Sequence, residues 1–238
     1  MTAILENGLC IFATALGAYL IGTIPFGYII GRMHGKDIRK EGSGNIGATN
    51  VTRVIGKPWG RLCFFLDFLK GALPVLTISF LTPKELFPFL VKCIPDTCLN
   101  LMNSVQDPYE ILPSVAAFAA VCGHIWPVYL NFRGGKGVST AAGAILALNP
   151  FSIAAAGVLW VIVFYSTRYV SLASVLAAAA MPLAAILFSV TGVSRSPAPE
   201  IVLFFLLAIL TIVKHSSNIR RLLNGTENRF EKKKDSNT

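Results

Sequence analysis

The chain has 238 residues, 54% of them hydrophobic and only 14% charged, with a mean hydropathy of +0.63 and a net charge of +9. A soluble domain carries about a quarter charged residues, so most of this surface must face lipid rather than water. Nucleic acid is not indicated, because the basic residues flank apolar stretches, and the five cysteines show neither metal-ligand spacing nor a CxxC pair.

In chain order, the first apolar run is Leu9–Ile30. It is too long for the core of a cleavable signal and follows Glu6 instead of a basic residue. With Arg32 as its first positive flank, it reads as a retained span with its N-terminus outside. Leu62–Leu81 and Ile111–Leu130 follow, each close to the roughly 20 residues that cross about 30 Å of hydrocarbon. Val138–Leu148 is stopped by Asn149-Pro150 and reaches only about 17 Å as a helix, a short fourth span. Phe151–Ser166, Ser171–Val190 and Ile201–Val213 complete the set. Helix is the expected conformation throughout, since lipid offers no partners to backbone polar groups.

Arginine and lysine set the sidedness. Seven lie between Arg32 and Arg61, then come Arg133 and Lys136, Arg168, and a basic tail after Val213. The segments Thr82–Glu110 and Thr191–Glu200 are poor in them. Placing the basic segments in the cytoplasm gives an all-α, polytopic transmembrane helical bundle, one domain over residues 1–238. It has about seven spans, an outside N-terminus and a cytoplasmic C-terminus. A re-entrant fourth helix, with Phe151–Ser166 also failing to cross, would keep the sidedness and reduce the true spans to five. Cys93 and Cys98 share the Thr82–Glu110 loop and would pair only if it faces an oxidising compartment.

Three segments carry chemistry. Gly42–Asn50, with Arg53 after it, fits the pattern GxGxxG, and Asp67 stands twenty residues beyond Gly47. A dinucleotide site needs a strand before the glycines, but polar Lys36–Glu41 stands there and Asp67 falls in a span. Anion chemistry survives. Gly42, Gly44 and Gly47 free backbone N–H groups, Ser43, Asn45, Thr49 and Asn50 add donors, and Arg53 offers a planar fork. A turn-rich loop is the plain alternative.

The second segment runs from Arg133 through Gly134, Gly135, Lys136 and Gly137 to Thr140. It is not a Walker A loop, since Gly137 follows the lysine, yet glycines, a lysine and a helix start are the parts of an anion site. A positive-inside anchor is the alternative. The third runs from His215 to Glu227; if the last span continues as helix, His215, Asn218 and Leu222 share a face. Its alternative is a basic amphipathic helix on the lipid surface. Within the spans, Asp67 and Lys70 stand three apart and can pair on one face, as a structural or a catalytic pair, while His124 reads as a packing residue.

These segments together resemble the bacterial acyl-phosphate-dependent glycerol-3-phosphate acyltransferases, a membrane-integral family. The resemblance rests on residues 42–53, 132–140 and 215–227, with support from Ile-Pro-Phe-Gly at 24–27, Asp-Phe-Leu-Lys-Gly at 67–71 and Gly-His-Ile-Trp-Pro at 123–127. It implies acyl transfer from acyl phosphate to the 1-hydroxyl of sn-glycerol 3-phosphate, without cofactor or metal, by a monomer in the bacterial inner membrane with its site on the cytoplasmic side. It implies catalytic roles for Ser43, Arg53, Lys136, His215 and Asn218. Phosphate binding would draw on Gly42, Gly44, Asn45, Gly47, Thr49, Asn50, Gly134, Gly135, Gly137, Thr140, Arg221 and Glu227.

The resemblance further implies that the donor's own phosphate serves as base, with His215 as the alternative. The HxxxxD signature of the other large acyltransferase class is missing, since Arg39, Tyr129 and Arg220 stand five residues past the three histidines. Ser139 and Ser216 depart from common family residues, and the loop from 82 to 110 looks long. Two other readings stand beside this one: a transporter of an organic phosphate, which should show related halves, and a scaffold whose basic loops bind anionic lipid. No internal repeat is found.

Overall fold

The structure, a computed structural model, describes residues 2–81 and 108–230. The expectations for Cys93, Cys98 and the long loop fall largely outside them. All regular structure among the described residues is helical: α1 Thr2–Gly22, α2 Phe26–Met33, α3 Ala48–Val54, α4 Lys57–Leu81, α5 Pro108–Ile125, α6 Val138–Leu148, α7 Pro150–Thr167, α8 Val170–Val190, α9 Ala198–Lys214 and α10 Ser216–Leu223. A 3-10 turn, Val128–Leu130, follows α5.

Among the described residues, five stretches are long and apolar enough to cross a membrane: Gly8–Met33, Lys57–Phe80, Ile111–Leu130, Pro150–Thr167 and Val170–Val190. A sixth is added if α9 and α10, bent by 57°, count as one span. α6 is a shorter apolar helix.

Two expected continuous helices are broken, each for a local reason. The first apolar run divides between α1 and α2 because Pro25 cannot donate a backbone hydrogen bond and pushes Ile24 out of helical geometry. The Ile24 carbonyl this frees accepts from the buried Lys70 ammonium at 2.7 Å. The last run does not continue through His215 either. It stops where apolar sequence gives way to Lys-His-Ser-Ser, and His215 Nδ1 donates to the Thr211 carbonyl at 2.8 Å, so α10 leaves at an angle. The break at Asn149-Pro150 falls where the sequence places it. Asn149 Oδ1 caps α7 by accepting from Ser152 N at 3.0 Å, and Pro150 fills the first turn.

The interior is built from small residues. Ala116, Ala117, Ala120, Ala144, Ala173 and Ala185 are wholly buried, whereas Leu9, Phe12, Val158, Ile162 and Leu183 are exposed. Small side chains inside and large ones against lipid let helix backbones approach closely. The tightest case joins α4 to α6: a Cβ at Gly71 would collide with the Thr140 carbonyl, and one at Gly143 with that of Phe68. α1 packs on α5, α7 on α8 and α8 on α9. A second, smaller core of Ile30, Ile38, Ile46, Val51, Cys63 and Leu130 underlies the first glycine-rich loop.

Candidate active site

The first loop is held from inside. Buried Ile38, Ile46 and Val51 anchor it, and buried Asn50 braces it, accepting from Ser43 N at 2.8 Å while its amide donates to the carbonyls of Ile38 (2.9 Å) and Glu41 (3.1 Å). Gly42 has φ +61, and a Cβ there would strike Asn50 Oδ1. Gly44 N donates to Glu41 O, and Gly47 N to Asn45 Oδ1 at 2.8 Å. Asn50, Asn45 Oδ1 and the N–H groups of Gly44 and Gly47 thus brace the loop. Ser43 and Arg53 stay exposed and Thr49 half-buried. Arg53 leaves from α3, with Nη2 3.4 Å from the Asn228 carbonyl and its guanidinium 5.1 Å from the Phe230 ring centre.

The second loop is docked in a similar way. Gly134 N and Gly135 N donate back to the carbonyls of Ile125 (3.1 Å) and His124 (3.0 Å). A Cβ at Gly135 would overlap His124 Nε2. These glycines seat the loop on the end of α5 rather than offering N–H groups to a ligand. The Thr140 side chain is wholly buried. Gly137 caps α6 at φ 81, and Lys136 is thereby delivered to the start of that helix.

Behind this loop lies a buried polar cluster that sequence reading caught only in part. Lys70 Nζ is 2.8 Å from Asp67 Oδ1. His124 Nδ1 stands 3.5 Å from the same oxygen, longer than a well-formed hydrogen bond. Cys63 Sγ donates to Asp67 Oδ2 at 3.6 Å. The cluster ties α4 and α5 to the α1–α2 break, and His124 carries the Gly135 turn. His124 is thus more than packing; its place beside a glycine, just before Trp126-Pro127, was the available signal.

The third segment closes on Lys136. Its ammonium donates to Asn218 Oδ1, and Asn218 Nδ2 donates to Glu227 Oε1 at 2.7 Å. Ser171 Oγ (2.8 Å) and Arg221 Nε (2.7 Å) also donate to Glu227. Burial pushes the Glu227 carboxyl up, but these three donors together hold it below the usual range. Ser171, in the first turn of α8, is a residue that no motif pointed to.

Burial brings the Lys136 ammonium down to about 8; Glu227 opposes this, and Arg221 and Arg53 add to it. Burial and then Lys136 bring His215 to about 4. Its imidazole is neutral at pH 7, and with Nδ1–H donating to a carbonyl, the Nε2 lone pair is available.

Lys136, Asn218, Arg221 and Glu227 are therefore in one network, with Arg53 and His215 in its field. Ser43, Gly42, Gly44 and Thr49 lie on the loop that precedes Arg53. Among the described residues, no group of three or more His, Cys, Asp or Glu could hold a metal. Beside the network an apolar cleft opens among α6–α9, lined by residues that include Val138, Ala141, Gly157, Ala177 and Thr211. Thr211 also accepts from His215, so cleft and network share a border.

Residues 12–225 match the family model described as glycerol-3-phosphate acyltransferase. The chain belongs to that family. Relatives named glycerol-3-phosphate acyltransferase include one from Trichlorobacter lovleyi, 41% identical over 90% of this chain and 95% of its own. Another, from Syntrophotalea carbinolica, is 42% identical over 91% and 95%. Among solved structures, the glycerol 3-phosphate form of PlsY (YgiH), an integral membrane glycerol 3-phosphate acyltransferase, superposes with a TM-score of 0.74. It is 38% identical and covers 93% of this chain and 96% of that one. The lysophosphatidic acid form of PlsY gives 0.72 at 37% identity. Family membership accounts for the all-helical membrane architecture.

Proposed function

We propose that this chain transfers a fatty acyl group from acyl phosphate to the 1-hydroxyl of sn-glycerol 3-phosphate, the first acylation of phospholipid synthesis. The observation that carries this reading is the junction of a cationic network, Lys136–Asn218–Glu227 with Arg221, and an apolar cleft. One substrate end is phosphate and the other is a hydrocarbon chain, and the two environments meet at Thr211 and His215. The hydroxyl oxygen attacks the acyl carbonyl carbon, the bond from that carbon to the phosphate oxygen breaks, and phosphate leaves with the hydroxyl proton. Lys136 and Arg53 stabilise phosphate and the oxyanion of the tetrahedral intermediate. Ser43 adds a hydroxyl donor from the loop that precedes Arg53.

A histidine near pKa 4 is a weak base, which favours the donor phosphate as proton acceptor, with His215 Nε2 accepting a substrate hydrogen bond. The charge distribution supports seven crossings, with α6 as a short fourth one, and a site on the cytoplasmic side of a bacterial inner membrane. One chain supplies all three segments, so a monomer suffices.

Purified protein in detergent, given palmitoyl phosphate and labelled glycerol 3-phosphate with chelator and no acyl-CoA, is expected to yield labelled lysophosphatidic acid. Activity only with acyl-CoA would overturn the donor assignment. Uptake of label into sealed vesicles without acylation would replace the enzyme reading by transport.

A further inference from the structure

Arg53 sits on a seven-residue helix at the edge of the bundle, and among the described residues it has no carboxylate in ion-pair contact. Its partners come from beyond the third motif. They are the Asn228 carbonyl, 3.4 Å from Nη2, and the Phe230 ring, 5.1 Å from the guanidinium carbon. We propose that residues 228–230 form a strap that positions Arg53 for the substrate phosphate, with Phe230 as the positioning residue.

The strap is fixed at both ends. At one end Glu227 is held by Asn218, Ser171 and Arg221. At the other, Phe230 N donates to the Arg168 carbonyl at 3.1 Å, and its ring meets Phe164 edge-on with centres 5.9 Å apart. Between them Arg229 Nε donates to the Thr167 carbonyl at 3.0 Å, and its guanidinium lies 5.7 Å from the Tyr169 ring centre. The strap thus joins the third segment to the α7–α8 turn and presents one aromatic face to the first segment.

An arginine on an exposed helix samples many rotamers, and ordering it on substrate binding weakens affinity. Stacking on an aromatic face orders the guanidinium beforehand while leaving most of its in-plane donors for phosphate. This inference rests on Arg53 being a phosphate ligand in the proposed reaction.

The test uses full-length protein carrying Phe230→Leu, which keeps apolar bulk against Phe164 but has no ring face, and Phe230→Trp, which keeps the face. Phe230→Leu should raise KM for glycerol 3-phosphate about fivefold with kcat within about twofold, and Phe230→Trp should restore KM. On an Arg53→Ala background, Phe230→Leu should add no further rise. Equal factors in the two backgrounds, or a kcat loss at unchanged KM, would overturn the strap. If Arg53→Ala raises KM and Phe230→Leu does not, the strap alone fails. If Arg53→Ala leaves KM unchanged, Arg53 is no phosphate ligand and both ideas fall.

Discussion

A lysine ammonium removed from water and set near two guanidinium groups gives up its proton more readily than one in solvent, and Lys136 is in that position at about 8. Its charged form, the one that attracts phosphate, is full below that value and lost above it. The expected profile of kcat/KM for glycerol 3-phosphate is therefore flat near pH 7 and falls about tenfold per unit well above pH 8. Lys136→Arg, which stays charged, should lose activity from altered geometry but show no such fall. An unchanged alkaline limb in that variant would assign the titration elsewhere. Lys136 and Arg53 were singled out in the sequence because a cation among glycines suggests anion chemistry, whereas the site role of Asn218 came only through the family resemblance. The inward role of Asn50 and the docked N–H groups of Gly134 and Gly135 were not legible there. A glycine-rich string states that backbone will be exposed to something, and only the fold decides whether that is a ligand or the end of α5.

One group of helices holds the site and another forms the cleft, with α6 belonging to both. In the first group the α4–α6 contact places a Cβ at Gly143 against the Phe68 backbone. Gly143→Leu must push these helices apart, at a cost of about 1–3 kcal/mol, and should lower the Tm in detergent together with activity on every acyl chain. In the second group Gly157 borders the cleft, and a Cβ there meets nothing within 4 Å. Gly157→Phe should leave Tm near wild type and depress turnover of palmitoyl phosphate more than that of a shorter donor. Equal loss on both donors would argue that the acyl chain lies elsewhere. Apolar length predicted where these helices lie, and Asn149-Pro150 marked one break correctly. The break at Pro25 was missed because the apolar run continues past it, whereas at His215 the apolar run had already ended at Val213 and the sequence left open whether the helix continues. Both breaks appear once a buried Lys70 answers the freed carbonyl and the His215 side chain answers the other.

For the molecule as a whole, composition alone demands lipid on the outside, and the inside-small, outside-large packing of the bundle meets that demand. The three basic segments, separated by long apolar helices in sequence, come together through two docked loops and one bent helix pair. If Lys136 and Arg53 act on the same phosphate, their losses must depend on each other. The direct measurement is kcat/KM for acyl transfer from palmitoyl phosphate by Arg53→Ala, Lys136→Ala and the double variant. The account predicts a loss of about 10²-fold in each single variant and a double variant well short of the product of the two. Full activity in both single variants, or losses that simply multiply, would contradict a single shared phosphate site.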